Sequence, residues 1–203
     1  MLDIHPDAKG LIFDVDGTLA DTMGAHQSAW RDAFLHFGVR ITRKFLDEVR
    51  GMPSERIVER YNRLYHAQLD PHEVSRVKTG MVQDKLRTSK PFEAVAALVY
   101  RNHGQLPMAV ASGGKRVNVD IILEAIGLTG YFDTVVTADD EVDHKPEPGI
   151  FLETARRIGV EPRFCQVFED GESGFEAARK AGMIVTDVRP FCIETFDLRI
   201  PEK

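Results

Sequence analysis

Short apolar runs recur along the chain, and each run ends at a polar or charged residue. Residues that are apolar at successive positions are typical of strands buried on both faces of a sheet. The runs, each with the residue that follows it, are 11–13 before Asp14, 108–111 before Ser112, 135–136 before Thr137, 167–168 before Glu169 and 184–185 before Thr186. The pattern therefore predicts strands whose carboxyl ends carry polar side chains.

Helical patterns lie between several of these runs. Apolar residues fall at helical spacing over 121–126 and 150–158, and the segment 173–181 is followed by Gly182, a typical residue just past a helix end. Alternating strands and helices with right-handed crossovers form a parallel sheet that is covered on both faces. We therefore predict an α/β, Rossmann-like fold, in which ligands bind beyond the carboxyl ends of the strands.

One region interrupts this alternation. From about residue 24 to residue 89 there is no β-rich run, and apolar residues instead follow three helical stripes. The stripes are Ala25, Ala29, Trp30, Ala33, Phe34 and Phe37; then Ile57, Val58, Tyr61, Leu64 and Tyr65; then Val74, Val77, Met81 and Val82. We interpret them as helix packing and predict a small helical cap domain at 24–89, inserted into a core of 1–23 and 90–203, with hinges near 21–22 and 89–91.

Composition excludes several classes of partner. The chain has 203 residues, 43% of them hydrophobic, which suits one core with a modest extra module. The formal net charge is −6 and no concentrated basic stripe occurs, so we expect no nucleic-acid partner. The longest apolar stretch, 94–100, is far shorter than the roughly 18 residues of a membrane span, so we expect no membrane partner.

The same reading gives an expected location. The first ten residues contain no apolar run of the kind that a secretory signal needs. The two cysteines, Cys165 and Cys192, have neither a metal-binding nor a redox spacing. We expect a protein of the reducing cytoplasm and a monomer, although the sequence does not determine the oligomeric state.

The first run is followed by two carboxylates, Asp14 and Asp16, with Gly17 after them. Side chains two residues apart on extended backbone point to one side, where two carboxylates repel unless a cation or a shared proton relieves them. This spacing predicts a divalent metal, and the alternative is an acidic turn with solvated aspartates. Ser112, Lys145 and the pair 169–170 also lie at or after predicted strand ends, so they can converge with these aspartates.

These residues resemble the motifs of a known family. The segment 14–19 resembles the first motif of the haloacid dehalogenase-like hydrolases, and Ser112, Lys145-Pro146 and Glu169-Asp170-Gly171 resemble the other three in the same order. The helical insertion resembles the small cap of the subgroup that contains β-phosphoglucomutase and sugar phosphatases. Within that subgroup, 10–30 and 167–182 resemble bacterial fructose-1-phosphate phosphatases.

The resemblance implies a mechanism. Asp14 would attack phosphorus and form an aspartyl phosphate. Asp16 would protonate the leaving oxygen and later take a proton from water, and we expect the neighbouring carboxylate to raise the pKa of Asp16. Mg²⁺ would be held by the Asp14 carboxylate, the Asp16 backbone carbonyl and Asp170, with Glu169 in direct or water-mediated contact.

The resemblance also implies phosphate and substrate contacts. Ser112 and Lys145 would bind phosphoryl oxygens, and backbone N–H groups around Thr18 and Gly113 would complete a phosphate cradle. In the cap, His26 would couple Asp16 to substrate, and the alternative for it is an exposed helix histidine. Further substrate contacts are expected from the specificity loop that begins at Arg50 and Gly51 and from Lys115 and Arg116.

The sequence departs from the mutase pattern at two positions. Ser54 stands where the mutase presents an arginine to the second phosphate, and the nearest arginine is Arg56. Gly114 replaces a hydroxyl residue, although Lys115 remains and Arg116 could compensate. Loss of bidentate donors weakens the hold on a bisphosphate intermediate, which favours a hydrolase of monophosphates.

The leading hypothesis is a Mg²⁺-dependent phosphatase of small phosphosugars, with fructose-1-phosphate the first substrate to test. The alternative within enzymes is a β-phosphoglucomutase that interconverts β-glucose-1-phosphate and glucose-6-phosphate. A dehalogenase would need neither a second aspartate nor Mg²⁺, and a response-regulator module would place its acidic pair on a different strand from its nucleophile. A phosphosugar sensor without turnover stays open at this point.

Overall fold

Within the described residues, the central sheet has five parallel strands: β1 Gly10–Phe13, β4 Met108–Ala111, β5 Thr134–Val136, β6 Cys165–Glu169 and β7 Ile184–Asp187. Their order across the sheet is β5-β4-β1-β6-β7. The computed structural model describes residues 2–49, 52 and 54–192. In the middle of the sheet, Ile12 pairs with Ala109 on one side and with Val167 on the other.

Helices cover both faces of this sheet because successive side chains of a strand point to opposite faces. Leu11 and Phe13 belong to an apolar cluster with the helices α5 Glu93–Asn102 and α6 Arg116–Ala125. Ile12, between them, belongs to the cluster with α7 Gly149–Ile158 and α8 Glu172–Lys180. The prediction of an α/β fold is confirmed; β1, β4 and β6 are buried throughout, whereas the edge strands β5 and β7 are only partly buried.

Among the described residues, four helices lie between β1 and α5: α1 Met23–His36, α2 Arg43–Glu48, α3 Ser54–Tyr65 and α4 Pro71–Leu86. The predicted stripes pack together in part, because Trp30, Phe34, Tyr61 and Val74 share an apolar cluster of their own. Ala29 and Val82 belong instead to the cluster that contains α5 and α6. Local capping also favours these helices, since Asp70 accepts the N–H groups of the first turn of α4, and a proline occupies the start of that helix.

The chain enters and leaves this helical segment through a short antiparallel pair of strands. The strands are β2 Ala20–Asp21 and β3 Lys90–Pro91, with Ala20 opposite Pro91 and Asp21 opposite Lys90. The pair lies next to the first motif, because β2 follows the turn at Gly17. Within the described part of the chain, no helix is both long enough and apolar enough to traverse a bilayer.

Candidate active site

A lysine bridges two acidic side chains at the carboxyl edge of the sheet. Asp14 follows β1, and its N–H donates to the Phe168 carbonyl at 3.1 Å. The Lys145 ammonium donates to Asp14 Oδ1 and to Glu169 Oε1, both at 2.7 Å. All three side chains are at most 10% exposed. The sequence-predicted convergence of these three residues is therefore present in the structure.

The loop that carries Lys145 is fixed by its approach to α7. A Cβ on Gly149 would lie 2.7 Å from the Asp143 backbone nitrogen, so a larger residue would push this loop away. The Ile150 N–H donates to the Asp143 carbonyl at 3.0 Å, which ties the loop to the first turn of the helix. The ammonium also lies 5.0 Å from the centre of the Phe151 ring, a favourable cation–π distance.

Three carboxylates converge at this point. Asp14, Glu169 and Asp170 each offer an oxygen, and these oxygens all lie within 4.8 Å of one another. The turn before them fits closely, because Gly17 has φ +88° and a Cβ there would collide with the Asp170 carboxylate. Among the described residues, Lys145 is the cationic side chain that contacts these three carboxylates, so they carry more negative charge than the lysine can balance.

The pKa values of the cluster reflect this excess. Burial raises the pKa of Asp14 well above its ordinary value, and Glu169 and Asp170 raise it further, while Lys145 opposes both effects. Burial also raises the pKa of Asp170 to about 6, assisted by Glu169. Several carboxylate oxygens with unrelieved charge are the donor set that hard divalent cations such as Mg²⁺ prefer. The residues present therefore fit the predicted metal.

Asp16 has different partners from Asp14. Thr22 Oγ1 donates to Asp16 Oδ1 at 2.6 Å, and His26 Nε2 lies 3.2 Å from the same oxygen. Asp16 Oδ2 lies 3.6 Å from the position that a Cβ on Gly114 would take, so this oxygen faces the loop after β4. His26 therefore contacts Asp16, as the sequence-based expectation of coupling between them requires.

The expected rise in the pKa of Asp16 is wrong. Burial does raise it, but His26, the Thr22 hydroxyl and the charge of Lys78 together lower the pKa of Asp16 to about 2. The expected rise rested on the adjacent carboxylate alone, whereas Thr22, His26 and Lys78 approach Asp16 in the folded protein and lower its pKa. In the ligand-free protein, Asp16 is therefore ionised at neutral pH.

Lys78 is a functional candidate that the sequence analysis missed. It is buried on α4, with its ammonium 3.0 Å from His26 Nδ1 and 5.5 Å from the centre of the Trp30 ring. Burial lowers the pKa of Lys78 to about 8, and Asp16 opposes this effect. The signal was present in the sequence, because a lysine at this position interrupts the apolar face that Val74 and Val82 define.

The predicted phosphate-binding residues lie around these aspartates. Ser112, buried at the end of β4, accepts the Gly114 N–H with its Oγ at 3.0 Å. Gly113 lies between them and is exposed. On the other side, Thr18 is buried and its Oγ1 donates to Asp170 Oδ1 at 3.4 Å. The loops after β1 and β4 therefore meet beside Asp16.

The predicted substrate residues have less uniform surroundings. Lys115 is exposed immediately before α6. Arg116 is also exposed, and its Nε donates to Asp120 on the same helix at 2.8 Å. Its backbone N–H donates to Asp139 at 2.8 Å. The predicted cap-loop residues Arg50 and Gly51 lie outside the described residues.

Comparison with known proteins agrees with this geometry. The family model of the haloacid dehalogenase-like hydrolases matches residues 11–188, so the chain belongs to that family. The fructose-1-phosphate phosphatase YqaB of Escherichia coli is 42% identical over 180 residues, which cover 89% of this chain and 96% of that protein. The predicted class, a phosphatase of this family, is confirmed.

Solved structures show the same fold. CbbY from Rhodobacter sphaeroides, in complex with phosphate, has a TM-score of 0.77 at 24% identity and covers 89% of this chain and 86% of that chain. A β-phosphoglucomutase from Clostridium difficile has a TM-score of 0.75 at 23% identity, with coverage of 89% and 84%. At these identities the likeness concerns the fold alone.

Proposed function

We propose that this phosphatase hydrolyses small phosphosugars, with fructose-1-phosphate as the first candidate, through an aspartyl phosphate and with Mg²⁺ bound. The observation that carries the proposal is the separation of two neighbouring carboxylates. Asp14 bonds to Lys145 within the acidic cluster, whereas Asp16 bonds to Thr22 and His26. Two carboxylates in different environments are suited to different catalytic roles.

Asp14 is the proposed nucleophile. Lys145 holds Asp14 Oδ1, which leaves Oδ2 as the oxygen to attack phosphorus. The bond between phosphorus and the leaving oxygen would then break. The Ser112 hydroxyl, the loop at Thr18 and the Lys145 ammonium would stabilise the charge on the phosphoryl oxygens. The N–H groups of Gly17, Thr18 and Gly114 already donate within their own loops, so the backbone part of the proposed cradle is formed by the N–H groups of Asp16 and Gly113.

Asp16 is the proposed acid and base, with Oδ2 facing the loop after β4. Because its pKa is about 2 in the ligand-free protein, substrate binding must raise the pKa before Asp16 can donate a proton. A phosphoryl group would do this in two ways, by excluding water and by placing negative charge beside the carboxylate. Asp16 would then protonate the leaving oxygen and later take the proton of the attacking water.

The proposed Mg²⁺ ligands are the Asp14 carboxylate, the Asp16 backbone carbonyl and Asp170, with Glu169 beside them. When bound, Mg²⁺ would supply positive charge against the phosphoryl oxygens and the excess of carboxylates. We propose residues 24–89 as the cap domain, because part of their apolar surface forms a separate cluster and the chain enters and leaves them through the β2–β3 pair.

The substrate class rests on the 42% identical relative, whose name specifies fructose-1-phosphate. His26, Arg50, Gly51, Lys115 and Arg116 remain proposed substrate contacts from the cap and its facing loop. We also propose a monomer in the reducing cytoplasm, because the two cysteines lack a redox spacing and are both free thiols. Gel filtration with light scattering would measure the oligomeric state.

The direct test is phosphate release from a panel of phosphosugars, with Mg²⁺ and with excess chelator. We expect fructose-1-phosphate among the best substrates and no turnover after chelation. Trapping with labelled substrate should give a covalent phosphoryl-protein that is absent from Asp14→Asn. Equal rates for the wild type and Asp14→Asn would exclude the proposed nucleophile.

One observation favours the mutase alternative: His26 contacts Asp16, as the resemblance to β-phosphoglucomutase implies. Conversion of β-glucose-1-phosphate to glucose-6-phosphate, dependent on a bisphosphate primer and faster than hydrolysis, would support that activity. Release of inorganic phosphate at the higher rate would support the phosphatase.

A further inference from the structure

Gly174 is a buried glycine inside a helix, where alanine would normally be more favourable. It is buried in the first turn of α8, and its backbone is not among those with positive φ. Glycine inside a helix is less favourable than alanine, because it loses more conformational freedom on folding. A Cβ on Gly174 would collide with Oε1 and Cδ of Glu169 and would lie 2.7 Å from its Cγ. The space next to Gly174 is therefore taken by the Glu169 side chain.

That side chain is held at both oxygens. Glu169 Oε2 accepts the N–H groups of Asp170 and Gly171, each at 2.7 Å. Glu169 Oε1 accepts the Lys145 ammonium, also at 2.7 Å. Because the ammonium donates its other described bond to Asp14, any shift of the Glu169 carboxylate must move the lysine relative to Asp14.

We propose that Gly174 is a positioning residue, which acts by leaving room for the Glu169 carboxylate and thereby places Lys145 against Asp14. Glu169 then contributes by holding the lysine and the loop after β6. The inference rests on the proposed phosphatase mechanism for its effect on rate. The competing explanation is that Gly174 only lets α8 pack closely on the sheet, and that explanation does not involve the Glu169 side chain.

The two explanations differ in a double-mutant cycle. Gly174→Ala is made in the wild type and in Glu169→Ala, with Glu169→Ser in its place where the alanine variant does not fold. We expect Gly174→Ala to lower kcat about tenfold or more in the wild type, with a smaller change in KM. In the Glu169→Ala background it should change kcat by less than about twofold, since the collision has been removed.

The matched control is Gly80→Ala. Gly80 is exposed on α4, and a Cβ there would meet no heavy atom within 4 Å. This substitution should leave kcat unchanged. An equal loss of kcat from Gly174→Ala in both backgrounds would overturn the proposal, because the effect would then be independent of Glu169.

A second measurement does not depend on turnover. In protein with ¹⁵N-labelled lysine, the buried Lys145 ammonium should give a slowly exchanging NMR signal, assigned by its loss in Lys145→Met. We expect the signal in the wild type and Gly80→Ala, and its loss or displacement in Gly174→Ala and Glu169→Ala. An unchanged signal in Gly174→Ala would overturn the proposal. A wild type that releases no phosphate refutes the proposed function, and this comparison still decides the role of Gly174.

Discussion

Asp14 and Asp16 are two residues apart, yet their surroundings shift their pKa values in opposite directions. The pKa of Asp14 is raised mainly by burial, to which Glu169 and Asp170 add, while Lys145 opposes these effects. The pKa of Asp16 is lowered to about 2, because His26, Thr22 and Lys78 outweigh burial. Spacing along a strand end thus brings two carboxylates to one edge of the sheet but does not determine their protonation.

The difference follows from which part of the chain supplies the partners. Glu169 ends β6, and Lys145 and Asp170 come from loops at the same carboxyl edge of the sheet. Thr22 and His26 come from the start of α1, and Lys78 comes from α4. The proposed nucleophile therefore depends on the sheet, whereas the proposed acid depends on the helical segment. Substitutions in each set should affect different steps.

The largest effect should come from Asp14→Asn. An amide cannot serve as the nucleophile, so phosphate release should fall by about 10⁴-fold or more. Steady-state release of phosphate from fructose-1-phosphate would measure it. Asp7→Asn, an exposed change before the amino end of β1, serves as the control and should stay close to the wild-type rate. If Asp14→Asn kept more than about a tenth of the wild-type rate, Asp14 would not be the nucleophile, and the two aspartates would not have the different roles proposed for them.

Asp16→Ala should have the next largest effect, and the effect should depend on the leaving group. Loss of a general acid lowers the rate by about 10²- to 10⁴-fold when the leaving oxygen needs a proton. We expect a loss of this size with a sugar phosphate and a much smaller loss with p-nitrophenyl phosphate, whose leaving group is stable as an anion. The ratio of the two losses is the measurement. Equal losses with both substrates would contradict an acid role for Asp16.

The sequence was most informative about the sheet side of this comparison. Buried strands have apolar residues at successive positions, so the runs before Asp14, Ser112 and Glu169 predicted both the sheet and the convergence of their carboxyl ends. The partners of Asp16 were harder to predict, because the approach of Lys78 depends on how α4 packs against α1. Nothing in local spacing encodes that packing, and an argument from the adjacent carboxylate gave the wrong direction for the pKa.

Lys78→Met should separate stability from activity. The pKa of Lys78 is lowered to about 8, so its charge destabilises the folded state below that pH, and the penalty is relieved as pH rises towards 10.5. At pH 7 the methionine variant should unfold with a free energy higher by roughly 2 to 3 kcal/mol. Denaturant titrations at pH 7 and at pH 10 would measure this gain, which should shrink at the higher pH.

The same substitution should lower kcat about tenfold, because Asp16 and His26 lose a neighbouring charge that helps to hold them. Lys85→Met is the matched control on the same helix, since Lys85 pairs with Asp32 and is partly exposed. Lys85→Met should change both the free energy of unfolding and kcat much less than Lys78→Met does. If Lys78→Met lowered the free energy of unfolding at pH 7, the buried lysine would stabilise the fold, and the predicted cost of its charge would be wrong.

Thr22→Val should give the smallest effect of the four. The substitution keeps the shape of the side chain but removes the hydroxyl that donates to Asp16 at 2.6 Å. A hydrogen bond to a charged group is worth about 1.5 to 3 kcal/mol, and His26 still holds the same oxygen, so we expect a loss in kcat of about 3- to 10-fold. Thr154→Val, which removes a buried hydroxyl that donates to the Ile150 carbonyl within α7, is the control. The loss should be larger for the sugar phosphate than for p-nitrophenyl phosphate, as with Asp16→Ala. If Thr22→Val instead reduced both rates equally, Thr22 would support the turn after β1 as a whole, and the proposed acid would depend on His26 and Lys78 alone.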